Sequence, residues 1–170
     1  MPTTTELDAR RLAYLEETIF PGVRDYFTRY PQLRSACVLV AQYWNDEAHD
    51  AVHAEVVISV LETPNLDAHF QASGWDEETG DNLKDVVNTP FTFDTFDLYM
   101  KTRWDSNEEA VPLFQAFCLD GSQEWSDEEN YRPYCIVRRD ESTADGTTIQ
   151  VVGQLLRPHL DGVNPEEERW

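Results

Sequence analysis

Between Thr5 and Phe20 the apolar Leu12, Leu15 and Ile19 recur three and four residues apart among charged neighbours, the spacing of one buried helical face. Thr3 and Glu6 stand ahead of them in capping-box register, so a helix is predicted here. Pro21 opens a second, shorter helix as a first-turn proline. Val23, Tyr26, Phe27 and Tyr30 form its apolar side until Pro31 ends it. The pattern then changes to a β-type run, Ala36 to Trp44, and a matching run extends from Val52 to Leu61. The short polar linker Asn45 to Ala51 predicts that these two runs pair as an antiparallel hairpin, with Gln42, His53 and Glu55 nearer solvent.

Thr63-Pro64 restarts a helix, with threonine as cap, proline at the first helical position, Leu66 and Phe70 on one face and Gly74 near the stop. A short helix is predicted over Asp81 to Val87. Phe93, Phe96, Met100 and Trp104 then step by 3, 4 and 4 along a core-facing helix, with Asp94 and Asp97 in its first turns and Lys101 and Arg103 in its last. The last third reads as strands at Leu113 to Leu119, Tyr134 to Arg139 and Thr147 to Leu156, the last two joined through a turn ending in Asp145-Gly146. Ser106 and Glu109 have capping-box spacing, but Pro112 would fall inside the helix they announce, and the strand reading is preferred there. These elements predict an α+β fold: a mostly antiparallel sheet of about five strands, with an N-terminal helical pair and a central helical block packed on it. Residues 1–156 form one domain in this reading, and 157–170, with Pro158, Gly162 and Pro165, an irregular, partly mobile C-terminal tail.

With 170 residues, 41% of them apolar, the chain can bury one core without metal or disulfide. Cys37, Cys118 and Cys135 are odd in number, far apart and set in apolar runs, so they read as buried thiols of a reducing, cytoplasmic protein. Met1 to Leu7 lacks the layout of a signal peptide and no run approaches the ~18 apolar residues of a membrane span, so no membrane association is expected. Charge changes the picture more. Against 33 acidic residues stand 13 basic ones, a net charge of −20. Such a field opposes nucleic acid and anionic membrane and speeds encounter with a cationic partner. Lys84 and Lys101 are the lysines, so arginine carries most of the positive charge.

No nucleophile elbow, phosphate-binding glycine loop, dinucleotide fingerprint or zinc-protease helix occurs, and no cofactor is expected. His49 and His53 are four apart, but a metal-binding pair at that spacing needs one helical face and Val52 onward is extended, so no metal site is assigned. Asp76 to Asp85 and Asp140 to Gly146 both fail the calcium-loop pattern in the placing of glycine and the closing glutamate. One theme recurs: Trp44, Trp75, Trp104 and Trp125 are each followed at once by polar and acidic residues. Such tryptophans either close an element's apolar face while the acids cap and solvate, or stand partly exposed among carboxylates that can hold arginine- and lysine-rich surfaces. Trp75 with Asp76, Glu77 and Glu78, and Trp125 with Glu124, Asp127, Glu128 and Glu129, sit in loop-like stretches and are the candidate partner-binding residues. The expectation is a non-enzymatic acidic binding protein, an inhibitor, immunity-type neutraliser or adaptor, engaging a basic protein partner. An enzyme or small-ligand-binding domain with a pocket built from scattered residues, and a structural subunit of a larger assembly, are the alternatives.

Overall fold

In the computed structural model of the protein, which describes residues 4–44, 50–67, 110–119 and 131–162, helix α1 spans Thr4–Thr18 and buries Leu7, Arg11, Tyr14 and Leu15. These positions lie three or four apart along one stripe of the helix. Helix α2, Phe20–Arg29, follows directly with Pro21 in its first turn, and buries Phe20, Val23, Tyr26 and Phe27. It ends at Tyr30, whose backbone leaves the helical region at φ −125° and ψ 88° because it precedes Pro31.

The sheet is antiparallel throughout, in the order β2-β1-β3-β4. Its strands are β1 Ser35–Trp44, β2 Asp50–Ser59, β3 Arg132–Arg139 and β4 Thr147–Val151. The β1–β2 hairpin expected from the two apolar runs is present, in unbroken register from Ser35 opposite Ser59 to Trp44 opposite Asp50. On its other edge β1 meets β3, and the register slips between Val38 and Leu39, where Pro133, which can donate no ladder bond, comes opposite Leu39. β3 and β4 are joined by the expected turn, with Gly146 at φ +77° supplying the left-handed residue.

The helices cover one face of the sheet, where Val38, Val40, Val52, Val56, Ile58, Cys135 and Val137 form a core with Leu15, Ile19, Phe20, Val23 and Phe27. The opposite face is dry as well: Cys37, Leu39, Ala41, Val57 and Ile136 are buried there with Tyr131, and Leu66 and Val152 pack against them. A strand buried on both faces carries an unbroken apolar run, which is why β1 shows no alternation. The same fact corrects the expectation that Gln42 and His53 approach solvent. Both are buried, and Glu55 is half-buried. Gln42 is tolerated inside because its Oε1 accepts a hydrogen bond from the Arg157 guanidinium.

A second correction concerns Leu113 to Leu119, expected as a strand, which is helical as far as Phe117. Helix α3, Ala110–Phe114, runs into a 3-10 turn over Gln115–Phe117. Pro112 is the third residue of α3, in the first turn, where a backbone N–H has no intrahelical acceptor, so the proline forfeits no helical bond. The described residues therefore form four strands and not five. The strand expected to reach Leu156 stops at Val151, because the N–H groups of Val152 and Gly153 both turn to the Tyr134 carbonyl at 2.9 Å. Leu66 and Asp67 are helical, but the helix opens two residues later than expected: Thr63, Pro64 and Asn65 lie ahead of it, so Pro64 is not its first residue. The rest of that helix, and those expected over Asp81 to Val87 and Phe93 to Trp104, lie outside the described residues. No helix among the described residues is long and apolar enough to cross a membrane.

Candidate functional site

Trp75, Asp76, Glu77, Glu78, Glu124, Trp125, Asp127, Glu128 and Glu129 all lie outside the described residues, as do His49, Trp104 and the acidic stretch Asp76 to Asp85. Among the described residues the polar chemistry gathers where the segment after β4 crosses α1 and α3. Helix α1 places Arg11 one turn beyond Leu7 on its buried face, and the side chain is wholly enclosed. Its Nε donates to the Leu113 carbonyl at 2.6 Å, its Nη1 to Asp8 Oδ1 at 2.9 Å and its Nη2 to Asp161 Oδ1. The guanidinium also lies 4.8 Å from the centre of the Phe117 ring. Asp161 is nearly buried, with 12% of its side chain exposed, whereas Asp8 is half open at 50%. A buried cation is thus matched by two carboxylates, one carbonyl and an aromatic face.

Beneath this cluster Phe114 and Phe117 meet the Tyr134 ring edge-on, at 5.2 Å and 5.1 Å between centroids. Tyr134 is fully buried and its hydroxyl has no hydrogen-bond partner among the described residues. Burial pushes its phenol far above the ordinary tyrosine range, so it stays protonated. The thiols behave alike. Burial pushes Cys37 up to about 12 and raises Cys135 too, which keeps both as neutral thiols without nucleophilic character near pH 7. All three cysteines are buried thiols outside any disulfide, as their apolar settings predict.

Four further arginines hold separate parts of the chain together. Arg157 donates to the carbonyls of Cys118 at 2.9 Å and Gln115 at 2.7 Å and to Gln42, and its own N–H reaches the Ala116 carbonyl at 2.9 Å. Arg139 donates to the carbonyls of Phe27, Tyr30 and Leu33, closing the C-terminal end of α2 with its guanidinium 5.1 Å from the Phe27 ring. Arg24 links Glu16 on α1 to Asp145 and Thr147 at the β3–β4 turn. Arg138 ties β3 to Glu62, Thr63 and Gln150. Sequence reasoning missed these anchors, because each joins residues far apart in the chain. The available signal was the preference for arginine, whose planar fork can satisfy several acceptors at once where a lysine ammonium cannot.

Among the described residues, exposed carboxylates outnumber the exposed arginines Arg10, Arg29 and Arg34. Glu6, Glu16, Glu17, Asp25, Glu62, Glu141 and Asp145 are exposed. In the turn after β3, the Ser142 hydroxyl holds Asp140 below the usual aspartate range, and the Thr147 N–H does the same for Asp145. Among the described residues no group of histidine, cysteine or carboxylate side chains is arranged to hold a metal ion. Comparison with known proteins adds nothing to this geometry: no protein-family model, curated protein or solved structure matches the chain.

Proposed function

We propose that the chain is a non-enzymatic binding protein, of the inhibitor, immunity or adaptor kind, whose acidic surface engages a basic protein partner. One observation carries this reading. The net charge is −20, and five of the arginines, Arg11, Arg24, Arg138, Arg139 and Arg157, are committed to contacts within the fold. Part of the positive charge is thereby held within the fold, and among the described residues the exposed Arg10, Arg29 and Arg34 are outnumbered by exposed carboxylates. An acidic exterior of this kind steers a cationic protein toward it from beyond contact distance and repels nucleic acid. In this reading Trp75 and Trp125, with Asp76, Glu77, Glu78, Glu124, Asp127, Glu128 and Glu129, supply the aromatic anchors and carboxylates of the interface.

The test is to recover the partner by cross-linking in the native cell and then follow association of the purified pair. The expected partner is basic, and its association rate falls by about tenfold or more between low and physiological salt while dissociation changes little. Trp75→Ala or Trp125→Ala weakens binding by about 2 kcal/mol with an unchanged melt. A partner of neutral or acidic character, or a salt-independent association rate, overturns the reading.

A further inference from the structure

The outer edge of β4 carries an inference separate from the basic-partner reading. The Asp140 N–H bonds to the Gly146 carbonyl and the Val152 N–H to the Tyr134 carbonyl, at 2.8 and 2.9 Å, so these two pairs are hydrogen-bonded pairs of the β3–β4 ladder. Bonded and non-bonded pairs alternate along an antiparallel ladder. Ile136 opposite Gln150 and Arg138 opposite Thr148 are therefore bonded, and Cys135 opposite Val151 and Val137 opposite Ile149 are not. The N–H and C=O groups of Thr147, Ile149 and Val151 consequently point away from β3. Those of Thr147 are taken by the turn, its N–H by Asp145 Oδ1 and its carbonyl by the Thr143 hydroxyl, each at 3.0 Å. Gly153, the next residue of that alternation, gives its N–H to Tyr134. What remains open is Ile149 and Val151, one on each side of Gln150.

We propose that this edge pairs with β4 of a second copy of the chain, antiparallel about a two-fold axis at Gln150. In that register Ile149 faces Val151 of the other copy and Val151 faces its Ile149, two bonded pairs that use the outward N–H and C=O groups of both residues and need none already taken. The side chains fit the same occupant. Ile149 and Val151 are 36% and 46% exposed, and the pairing sets each β-branched side chain against the other. Edge strands are ordinarily guarded by charge or proline, yet Gly146 to Leu156 contains neither, in a chain where 27% of residues are charged. Two copies at −20 each can approach closely only where no carboxylates oppose one another, and this edge meets that condition. A cationic strand would find no carboxylate along it to recognise.

Sedimentation of the full chain over micromolar to submillimolar concentration, at low and high salt, reads the equilibrium. The expected result is a dimer that tightens as salt is added. Hydrogen exchange at the Ile149 and Val151 amides should slow with concentration, while Thr148 and Gln150 are protected in the monomer already. Ile149→Pro removes an outward donor and no β3 bond, and Val151→Lys places charge on the edge. Each should raise the dimer dissociation constant at least about tenfold, whereas Leu61→Lys, at an exposed residue away from β4, should leave it unchanged. If Ile149→Pro does not fold, Val151→Lys carries the comparison. A chain monomeric at every concentration and salt overturns the proposal, as does a dimer that survives Val151→Lys or whose Ile149 and Val151 amides exchange freely.

Discussion

Tyr134 places a hydroxyl in the core without a partner among the described residues, so the phenol bears a desolvation cost that no hydrogen bond there offsets. Tyr134→Phe keeps the ring and its edge-on contacts and removes only that cost. The variant is expected to be about 1 kcal/mol more stable than the wild type, measured as a higher urea midpoint at unchanged slope. Asp145 is the opposite case, a carboxylate whose ionised form is favoured on folding by the Thr147 N–H and by Arg24. Its folded value lies below its unfolded one, so the stability it contributes is present above the ordinary aspartate value, about 4, and is lost as pH falls through the folded value. The gap in urea midpoint between wild type and Asp145→Ala should hold at neutral pH and narrow below about pH 4. A gap that widens in acid would contradict this assignment. Neither residue was singled out from sequence in these roles. The Asp145-Gly146 turn was legible, since its residues are local, but the Tyr134 environment is built by Phe114 and Phe117 from another part of the chain.

The elements differ in how openly the chain announces them. α1, α2 and the β1–β2 hairpin were legible because apolar spacing, Pro21 and Pro31 all act within a few residues. α3 was hidden by Pro112, which reads as a breaker only if the helix begins earlier than Ala110. The burial of Gln42 depends on Arg157, more than a hundred residues later, and no local pattern reports it. The proposed interface tryptophans stand in segments outside the described residues, so their placement rests on sequence alone. α3 and its 3-10 turn also set the packing limit for the segment after β4. A Cβ at Gly153 would stand 2.9 Å from Tyr134 Cδ2 and 3.0 Å from Phe117 Cδ1, both on rings already wedged into the core. Gly153→Ala is therefore expected to destabilise the fold by about 1–3 kcal/mol in thermal or urea melts, with a melt equal to wild type as the contrary outcome.

At the scale of the whole molecule, a net charge of −20 on 170 residues opposes compaction, and mobile ions relieve that strain. The melting temperature should rise as sodium chloride is added from low to physiological concentration, and a flat or falling dependence would show that internal pairs such as Arg11 with Asp161 outweigh the surface field. The sheet order has a different kind of consequence. β1 finds β2 almost at once, but its other neighbour, β3, comes about a hundred residues later in the chain. β2 ends at Ser59 and β3 begins at Arg132, and a ribosome adding roughly 5–20 residues per second takes on the order of 4–14 s over the interval between them. Throughout it the nascent chain holds a hairpin that is apolar on both faces and has an open edge where β3 will dock, the state most in need of a holding chaperone. The pace of translation across residues 60–131 thus becomes a determinant of yield: pauses there prolong the wait, and brisk decoding shortens it.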